Sequence, residues 1–312
     1  MDSSPLVYIL LLNYRGADDT VACLDSLRHL DYPSFRVMVI DNASPDDSVA
    51  RFQARLAECP GEFELILSSQ NLGFSGGNNL GIRRALEEAG ADADAYVWLL
   101  NNDTTVEPDS LTHLVQEAQK TGGLAGSLLL YPDGAYQQVG TRLNWWSGGA
   151  KGYPESAVSD GMRVETLSGA SMLIPFAAFA RVGLMDEHFF LYFEDGEFSL
   201  RCARKGFALT VATQSRVYHQ EGATTGRKSL PTQYYFHRNR MRLLFLYATP
   251  FQKLTIGLYA IFRMLRSIVK WGVSAHPART AIGISTQVQK LALLDFWRGV
   301  SGPCPHNLEN LR

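Results

Sequence analysis

Carboxylates stand in three places where the pattern of the chain would present them to a ligand. Leu100-Asn101-Asn102-Asp103 follows an apolar run directly, so its polar side chains emerge at the end of a strand. Asp103 can there bind a hard divalent ion such as Mg²⁺ or Mn²⁺, which takes oxygen ligands and typically one or two carboxylates plus substrate phosphates. A turn that caps a helix starting near Pro108 explains the same residues. Asp41, in VIDNAS, can accept hydrogen bonds from a nucleobase imide or a ribose hydroxyl, or can serve a turn supported by Pro45 and Asp46. The densest cluster runs from Met185 to Arg201, where Glu194 and Asp195 sit among five aromatic residues. Partial burial and like charge both raise a carboxyl pKa, which is what a general base working near neutrality needs. Neighbours on a strand point to opposite faces, so only one of the pair can face a substrate. Alternatively the acids cap a helix over Glu197 to Arg204, with Arg201 paired to one of them. His219, at the end of the apolar run Ala208 to Tyr218, reads either as a structural histidine or as a metal ligand beside Asp103.

The elements that must position these groups alternate. Apolar runs at Val7 to Leu12, Arg36 to Ile40, Phe63 to Leu67 and Tyr96 to Leu100 predict strands, and Ala17 to Leu30 and Asn78 to Ala89 have helical spacing between them. Such alternation predicts an α/β fold with a parallel sheet covered on both faces, in which ligands bind beyond the carboxyl ends of the strands. Asn13-Tyr14-Arg15, Asp41 to Ser44 and Asn101 to Asp103 would then share one rim. The glycines of Asn71 to Asn79 would let backbone N–H groups approach a phosphate ahead of a helix N-terminus, or form a plain turn. From Gly122 to Thr166 the pattern is irregular, with Trp145 and Trp146 in a loop-rich stretch suited to an acceptor or to no ligand at all.

Composition bounds the rest. A chain of 312 residues, 46% hydrophobic and 19% charged, has material for one large core or two modest ones. Cys23, Cys59, Cys202 and Cys304 form no CxxC pair, which argues for a reduced setting without a disulfide framework or a cysteine zinc site. The N-terminal run is short and lacks a basic leader, so it reads as a first strand, not a signal peptide, and no stretch reaches spanning length. Residues 1–226 hold 16 basic and 29 acidic groups, whereas residues 227–312 hold 13 and 2, so an acidic body over 1–226 precedes a basic, mainly helical region over 227–312. Leu254 to Val273 carries Lys253, Arg263, Arg266 and Lys270 among large apolar residues. Such a helix suits a membrane interface, or packing on the catalytic domain or on a second subunit as a homodimer. No GxGxxG follows the first strand, which counts against a dinucleotide-dependent oxidoreductase. A non-catalytic carbohydrate or nucleotide module would have lost the acids at 103 and 195, and both are present; the acidic body weighs against nucleic acid as a partner.

Taken in order, these segments resemble inverting family 2 glycosyltransferases of the GT-A fold, most closely the bacterial rhamnosyltransferase-like members, over roughly residues 6 to 245. The matching pieces are Asn13-Tyr14, Asp41, the full Asn-x-Gly-Phe-x-x-Gly-Asn-Asn-x-Gly element from Asn71 to Gly81, Asn101-Asn102-Asp103, SGASMLI from Ser168, Glu194-Asp195, His219 and Tyr235-Arg238-Asn239. The resemblance implies a mostly parallel sheet flanked by helices, with a C-terminal helical extension. It implies Asp195 as catalytic base supported by Glu194, and a divalent cation, Mg²⁺ or Mn²⁺, held by Asp103 and His219. Asn13, Tyr14, Asp41, Asn71, Gly73, Phe74, Asn78 and Asn102 are then expected along the donor nucleotide. Gly169, Ala170 and Ser171, with Trp145, Trp146 and Arg238, are expected at the donor sugar and acceptor. Where the family often has Asp-x-Asp, only the last carboxylate is retained here. The expected donor is a nucleotide-diphosphate sugar, dTDP-L-rhamnose first, with UDP-hexose or UDP-galactofuranose as alternatives. The expected acceptor is a glycan or a polyprenyl-diphosphate-linked glycan. The expected location is cytoplasmic, peripheral at the inner face of the membrane.

Overall fold

Side chains that are apolar at every position suit a parallel strand covered on both faces. In the computed structural model, which describes residues 4–220, 229–273 and 278–311, four such runs become adjacent parallel strands. They are β1 (Leu6–Asn13), β2 (Phe35–Asp41), β3 (Glu64–Leu67) and β4 (Ala95–Asn101), in the order β3-β2-β1-β4. Helices α1 (Ala17–Leu27), α2 (Ser48–Glu58) and α3 (Gly73–Ala89) make the crossovers. Alternate residues of β1 feed opposite layers: Val7, Ile9 and Leu11 join one core, Tyr8 and Leu10 the other.

Past β4 the sheet is mixed. β5 (Thr104–Val106), β6 (Leu124–Leu130), β7 (Tyr136–Gln138), β10 (Ser171–Pro175) and β11 (Leu209–His219) complete it, with α4 (Ser110–Thr121) between β5 and β6. A small hairpin, β8 (Thr141–Leu143) with β9 (Ala150–Gly152), stands apart, and α5 (Phe176–Val182) and α6 (Glu194–Arg204) follow β10. β10 runs antiparallel to both β4 and β6, β11 runs parallel to β6, and β5 runs antiparallel to β11. These directions decide where the chemistry lies. The ends of β1, β2, β4, β6 and β11 and the start of β10 fall on one edge, with Asn13 opposite Asp41, Leu12 opposite Asn101, Ser171 opposite Leu100 and Tyr218 opposite Leu130.

The glycine-rich segment departs from expectation. α3 starts at Gly73, not Asn78, so Gly76, Gly77 and Gly81 lie within the helix and no glycine loop precedes Asn78. Their service is close packing: a Cβ at Gly77 would fall 2.4 Å from Leu12 Cδ1, and one at Gly81 2.9 Å from Leu10 Cδ1. The helix can therefore ride nearer the sheet than any side chain would allow.

Two compact units emerge from the contacts. One comprises Met1–Arg142, Gly152–Glu187 and Glu194–Thr224; the other comprises Leu143–Lys151, His188–Phe193 and Thr225–Arg312. The single boundary expected at 226/227 lies outside the described residues. Two short segments from earlier in the chain belong to the second unit because their side chains pack there. Trp145 joins the cluster of Met241, Leu244, Ile256 and Leu293, and Phe190 stacks on Tyr235. That unit is helical, built of α7 (Leu230–Tyr247), α8 (Pro250–Val273) and α9 (Ala278–Trp297). Ser229 caps α7 by accepting from Thr232 N–H at 3.2 Å.

Candidate active site

Asn13 ties three strand ends together. Fully buried, it donates from Nδ2 to Asp41 Oδ2 at 2.8 Å, while its Oδ1 accepts from Gly16 N–H, the Thr20 hydroxyl and Asn102 Nδ2. Asp41 Oδ1 accepts from Ser44 N–H at 2.9 Å. One oxygen is thus held by each neighbour, and the carboxylate is fixed at the end of β2 with lone pairs to spare. Asn102 donates from Nδ2 to Asn13 Oδ1, the Gly16 carbonyl and Thr20 Oγ1, which ties it into this corner. Tyr14 is half-buried beside it, with the Arg15 guanidinium 5.2 Å from its ring. Asn71 and Gly73 are knitted to the same corner by Asn42, which donates to Asn71 Oδ1 and the Gly73 carbonyl. Asn78 is buried and donates to the Phe74 carbonyl, an internal helix contact.

The second cluster pairs Asp103 with His219. β5 follows Asp103 and pairs with the end of β11, placing Thr104 opposite His219. Asp103 Oδ1 and His219 Nε2 come within 3.3 Å, both side chains being almost buried. Gln137 on β7 decides which ring nitrogen carries the proton. Its Nε2 donates to the His219 carbonyl at 3.3 Å, so its Oε1, 2.9 Å from Nδ1, must accept the Nδ1–H. Nε2 is the ring nitrogen turned towards Asp103, and Asn101 Nδ2 stands 3.3 Å from it. A carboxylate oxygen and a ring nitrogen at this spacing suit a shared cation, since adjacent ligands of an octahedral ion with bonds of about 2.1 Å stand about 3 Å apart. The residues fit a hard divalent ion that takes its remaining ligands from elsewhere, since among the described residues no group of three or more His, Cys, Asp or Glu could hold a metal. Gln137→Leu is expected to weaken Mn²⁺ affinity about 10- to 100-fold with little change in fold stability, because loss of such an orienting partner costs that much. Titration followed by electron paramagnetic resonance, with Tm measured alongside, checks this; unchanged Mn²⁺ affinity counts against it.

The third cluster is built on Gly169. Asn101 N–H donates to the Ala170 carbonyl at 3.0 Å, which fixes the loop before β10 beside the end of β4. Gly169 N–H then donates to Asp195 Oδ2 at 3.0 Å, and Gly196 N–H to Oδ1 at 2.7 Å. A Cβ at Gly169 would lie 3.1 Å from Phe74 Cζ and 3.3 Å from Asp195 Cβ, so glycine lets helix, loop and carboxylate meet. Burial raises the pKa of Asp195, and the two backbone donors only partly offset it. Glu194 is 5% exposed and its Oε2 has no hydrogen-bond partner among the described residues. Its pKa is pushed well up, by burial first and by the Asp195 charge second. The pair occupies the first turn of α6, not a strand, with Arg201 bonded to Glu197 at 2.8 Å. Just before it, Phe190, Tyr192 and Phe193 adopt positive φ, a costly conformation for such residues. In the helical unit, Asn239 Nδ2 steadies that turn by donating to the carbonyls of Phe189, Leu191 and Tyr192.

The buried Glu194 carries a stability cost with a definite sign. Its folded pKa lies above the unfolded value, so stability falls as pH rises from the ordinary carboxyl range through the raised one. Glu194→Gln cannot ionise, and is expected to raise Tm at about pH 8 while leaving it nearly unchanged at about pH 4. Thermal unfolding across that range measures it; a lowered Tm at the higher pH contradicts it.

Three of the residues expected at the donor sugar and acceptor are engaged by other parts of the protein. Ser171 is buried, its hydroxyl accepting from Trp98 Nε1 at 2.9 Å and bonded to Ser127 Oγ at 2.6 Å, so it is a core hydroxyl. Arg238 is fully buried in the helical unit, donating to Asn239 Oδ1, Tyr234 OH and the Gly302 carbonyl. Trp145 is part of that unit's core. Trp146 is 58% exposed, edge-on to Phe251. Gln137 and Thr20 are contributors that the sequence did not flag as chemistry, since neither carries a charge.

The model of the family described as "Glycosyl transferase family 2" matches residues 8–183, and that of "Glycosyl transferase family group 2" matches residues 96–285. An N-acetylglucosaminyl-diphospho-decaprenol L-rhamnosyltransferase of Mycobacterium tuberculosis is 27% identical over 213 residues, covering 61% of this chain and 68% of that protein. Among solved structures, S. aureus TarS superposes with a TM-score of 0.57 at 15% identity, covering 98% of this chain, which spans half of TarS. The mannosyltransferase PcManGT from Pyrobaculum calidifontis, in complex with GDP-Man and Mn²⁺, gives a TM-score of 0.56 at 14% identity, covering 95% of this chain and 88% of that one. At these identities the structural likeness speaks for the fold, a GT-A glycosyltransferase sheet with helices after it. With over half its length matched by the family model and its carboxylates gathered on one sheet edge, the chain belongs to glycosyl transferase family 2.

Proposed function

We propose that the chain moves a sugar, L-rhamnose from its dTDP donor in the first instance, onto a hydroxyl of a lipid-linked glycan with inversion at the anomeric carbon. The observation that carries the reading is the placement of a polarised carboxylate, Asp195 on Gly169 N–H, and a cation-ready pair, Asp103 and His219, on the edge that also holds Asp41. Asp41 accepts from the base or ribose of the nucleotide, held in place by Asn13 and Ser44. Tyr14, Asn71, Gly73 and Phe74 line the nucleotide's path beside it. A Mg²⁺ or Mn²⁺ bound by Asp103 and His219 would neutralise charge on the departing diphosphate. That need is acute here, because Asp41, Asp103 and Asp195 would otherwise repel the phosphates. Asp195 takes the proton from the acceptor hydroxyl as its oxygen attacks the anomeric carbon from the face opposite the phosphate. Glu194 behind it is the second carboxyl, its pKa pushed up by burial and by the Asp195 charge. The name of the mycobacterial relative, which specifies a rhamnosyl donor group and a diphospho-decaprenol acceptor, supports both substrate classes.

A lipid-linked acceptor also favours a peripheral position at the cytoplasmic face of the membrane. Among the described residues no helix is long and apolar enough to cross one. The test is incubation of the purified chain with a panel of nucleotide sugars and Mg²⁺ or Mn²⁺, measuring release of nucleoside diphosphate. Release from dTDP-L-rhamnose that depends on the metal and on an acceptor is expected; no release from any donor overturns the reading.

A further inference from the structure

Tyr235, Arg238 and Asn239 of α7 belong to the same compact unit as the turn from His188 to Phe193, and all three bear on that turn. Asn239 is fully buried. Arg238 Nε–H can only donate, so the amide atom 3.0 Å from it is Oδ1, which leaves Nδ2 to face the carbonyls of Phe189, Leu191 and Tyr192. Among side chains only an amide accepts on one side and donates two hydrogens from one nitrogen on the other. Arg238 is held in its turn. Its other nitrogens donate to Tyr234 OH at 3.4 Å and to the Gly302 carbonyl at 2.6 Å, and its guanidinium lies 5.2 Å from the rings of both Tyr234 and Tyr235. The segment at Gly302 also grips the turn directly, since Gly302 N–H donates to the His188 carbonyl at 3.0 Å. Cys304 N–H donates to Tyr235 OH at 2.8 Å, and the Tyr235 ring stacks on Phe190.

Such support matches what the turn must withstand. Phe190, Tyr192 and Phe193 have φ of 58°, 66° and 71°, a region that aromatic residues rarely adopt and keep only where their surroundings impose it. One peptide bond joins Phe193 to Glu194, the first residue of α6, and Asp195 follows. The path of the turn therefore sets the point and angle at which Asp195 enters its helix. Upstream, the chain is anchored within the first unit: Asn79 Oδ1 accepts from Met185 N–H at 3.1 Å, and its Nδ2 donates to the Met185 carbonyl at 3.0 Å and to Glu187 Oε1 at 2.9 Å. With that side fixed, relaxation of the three aromatic residues would run towards Glu194 and Asp195.

We propose that Asn239 is a positioning residue for sugar transfer: oriented by Arg238 and the segment at Gly302, it holds the turn from His188 to Phe193 and so places the Asp195 carboxylate. The inference rests on the reading of Asp195 as the base. It makes the helical unit a part of the catalytic apparatus, because the support of the turn comes from α7 and from the chain beyond α9.

The test measures nucleoside diphosphate release by the full chain with dTDP-L-rhamnose, Mn²⁺ and acceptor, with kcat counted per chain that binds dTDP by calorimetry. Asn239→Ala is expected to lower kcat by about 10²-fold, the cost of a misplacement of about 1 Å, with donor KM and dTDP affinity nearly unchanged. Asn239→Ser, whose hydroxyl can still donate to one carbonyl, is expected to lose about tenfold in kcat alone, and it carries the test if the alanine variant binds no dTDP. In an Asp195→Asn background, Asn239→Ala is expected to lower kcat no more than about twofold further, since a residue that acts through the base has nothing left to position. Arg238→Lys keeps the charge but not the fork that spans Asn239 and Gly302, and is expected to lose about tenfold in kcat. Parental kcat per binding-competent chain in both Asn239 variants, even with a lowered Tm, gives Asn239 a role in the fold only and overturns the inference. So does a loss that multiplies in full with that of Asp195→Asn. Parental kcat in Arg238→Lys removes Arg238 and Gly302 from the device. Turnover of Asp195→Asn close to the parent overturns the catalytic reading itself, and the inference with it.

Discussion

Replacing Asp195 by asparagine is expected to lower kcat for sugar transfer by about 10²- to 10⁴-fold, the range ascribed to a positioned general base, while leaving nucleotide affinity nearly intact. The amide is isosteric and its oxygen can still accept from Gly169 N–H, so the loop before β10 keeps its place. What it loses is the ability to receive the acceptor's proton. The pH dependence supplies a second signature. A base must be ionised to act, so the rate climbs with pH through the pKa of Asp195, and burial moves that limb above the ordinary carboxylate range. The variant's residual rate should lack this limb. Steady-state kinetics across pH, with nucleotide affinity from calorimetry, decides the matter: turnover close to the parent removes Asp195 from the role.

Asp103→Ala is expected to weaken Mn²⁺ binding by at least about 100-fold and to depress turnover with it, since a direct ligand should matter no less than an orienting partner. The effect follows from how little else is available. His219 offers a single nitrogen, and the other acids of the rim, Asp41 and Asp195, are engaged by backbone and side-chain donors of their own. His219→Ala should produce a similar loss, and the double variant little more than either single change, as expected when two residues act as one unit. Mn²⁺ titrations of the three variants in the presence of nucleoside diphosphate measure this. Full activity of the parent in excess EDTA would contradict it.

Much of the positioning frame is legible in the residues themselves. Runs such as Val7 to Leu12 and Tyr96 to Leu100 can only be strands buried on both faces, and each ends in a polar cluster. Parallel pairing then brings Asn13, Asp41 and Asn101 to one edge without further information. Glycine signals close approach without saying to what, and at 77 and 81 the neighbours are Leu12 and Leu10 of the sheet. Ser171 and Arg238 were expected at the ligand from the resemblance, and only tertiary packing reveals their partners Trp98, Ser127 and the Gly302 carbonyl. Gln137 was invisible for the opposite reason. It lies in an irregular stretch, and its importance comes wholly from a register that brings β7 beside the end of β11 through β6. The turn before Glu194 likewise depends on Asn239, 50 residues later than Phe189, a separation no local pattern records.

The most direct test of the account is a crystal of the chain grown with nucleoside diphosphate and Mn²⁺, with anomalous scattering recorded at the manganese edge. The account predicts one manganese peak bonded to Asp103 and His219 Nε2, a diphosphate on that ion, the base or ribose on Asp41, and open space above the Asp195 carboxylate where a sugar and its acceptor would meet. A nucleotide bound away from the edge shared by Asn13, Asp41 and Asn101, or manganese held by other residues, would contradict it.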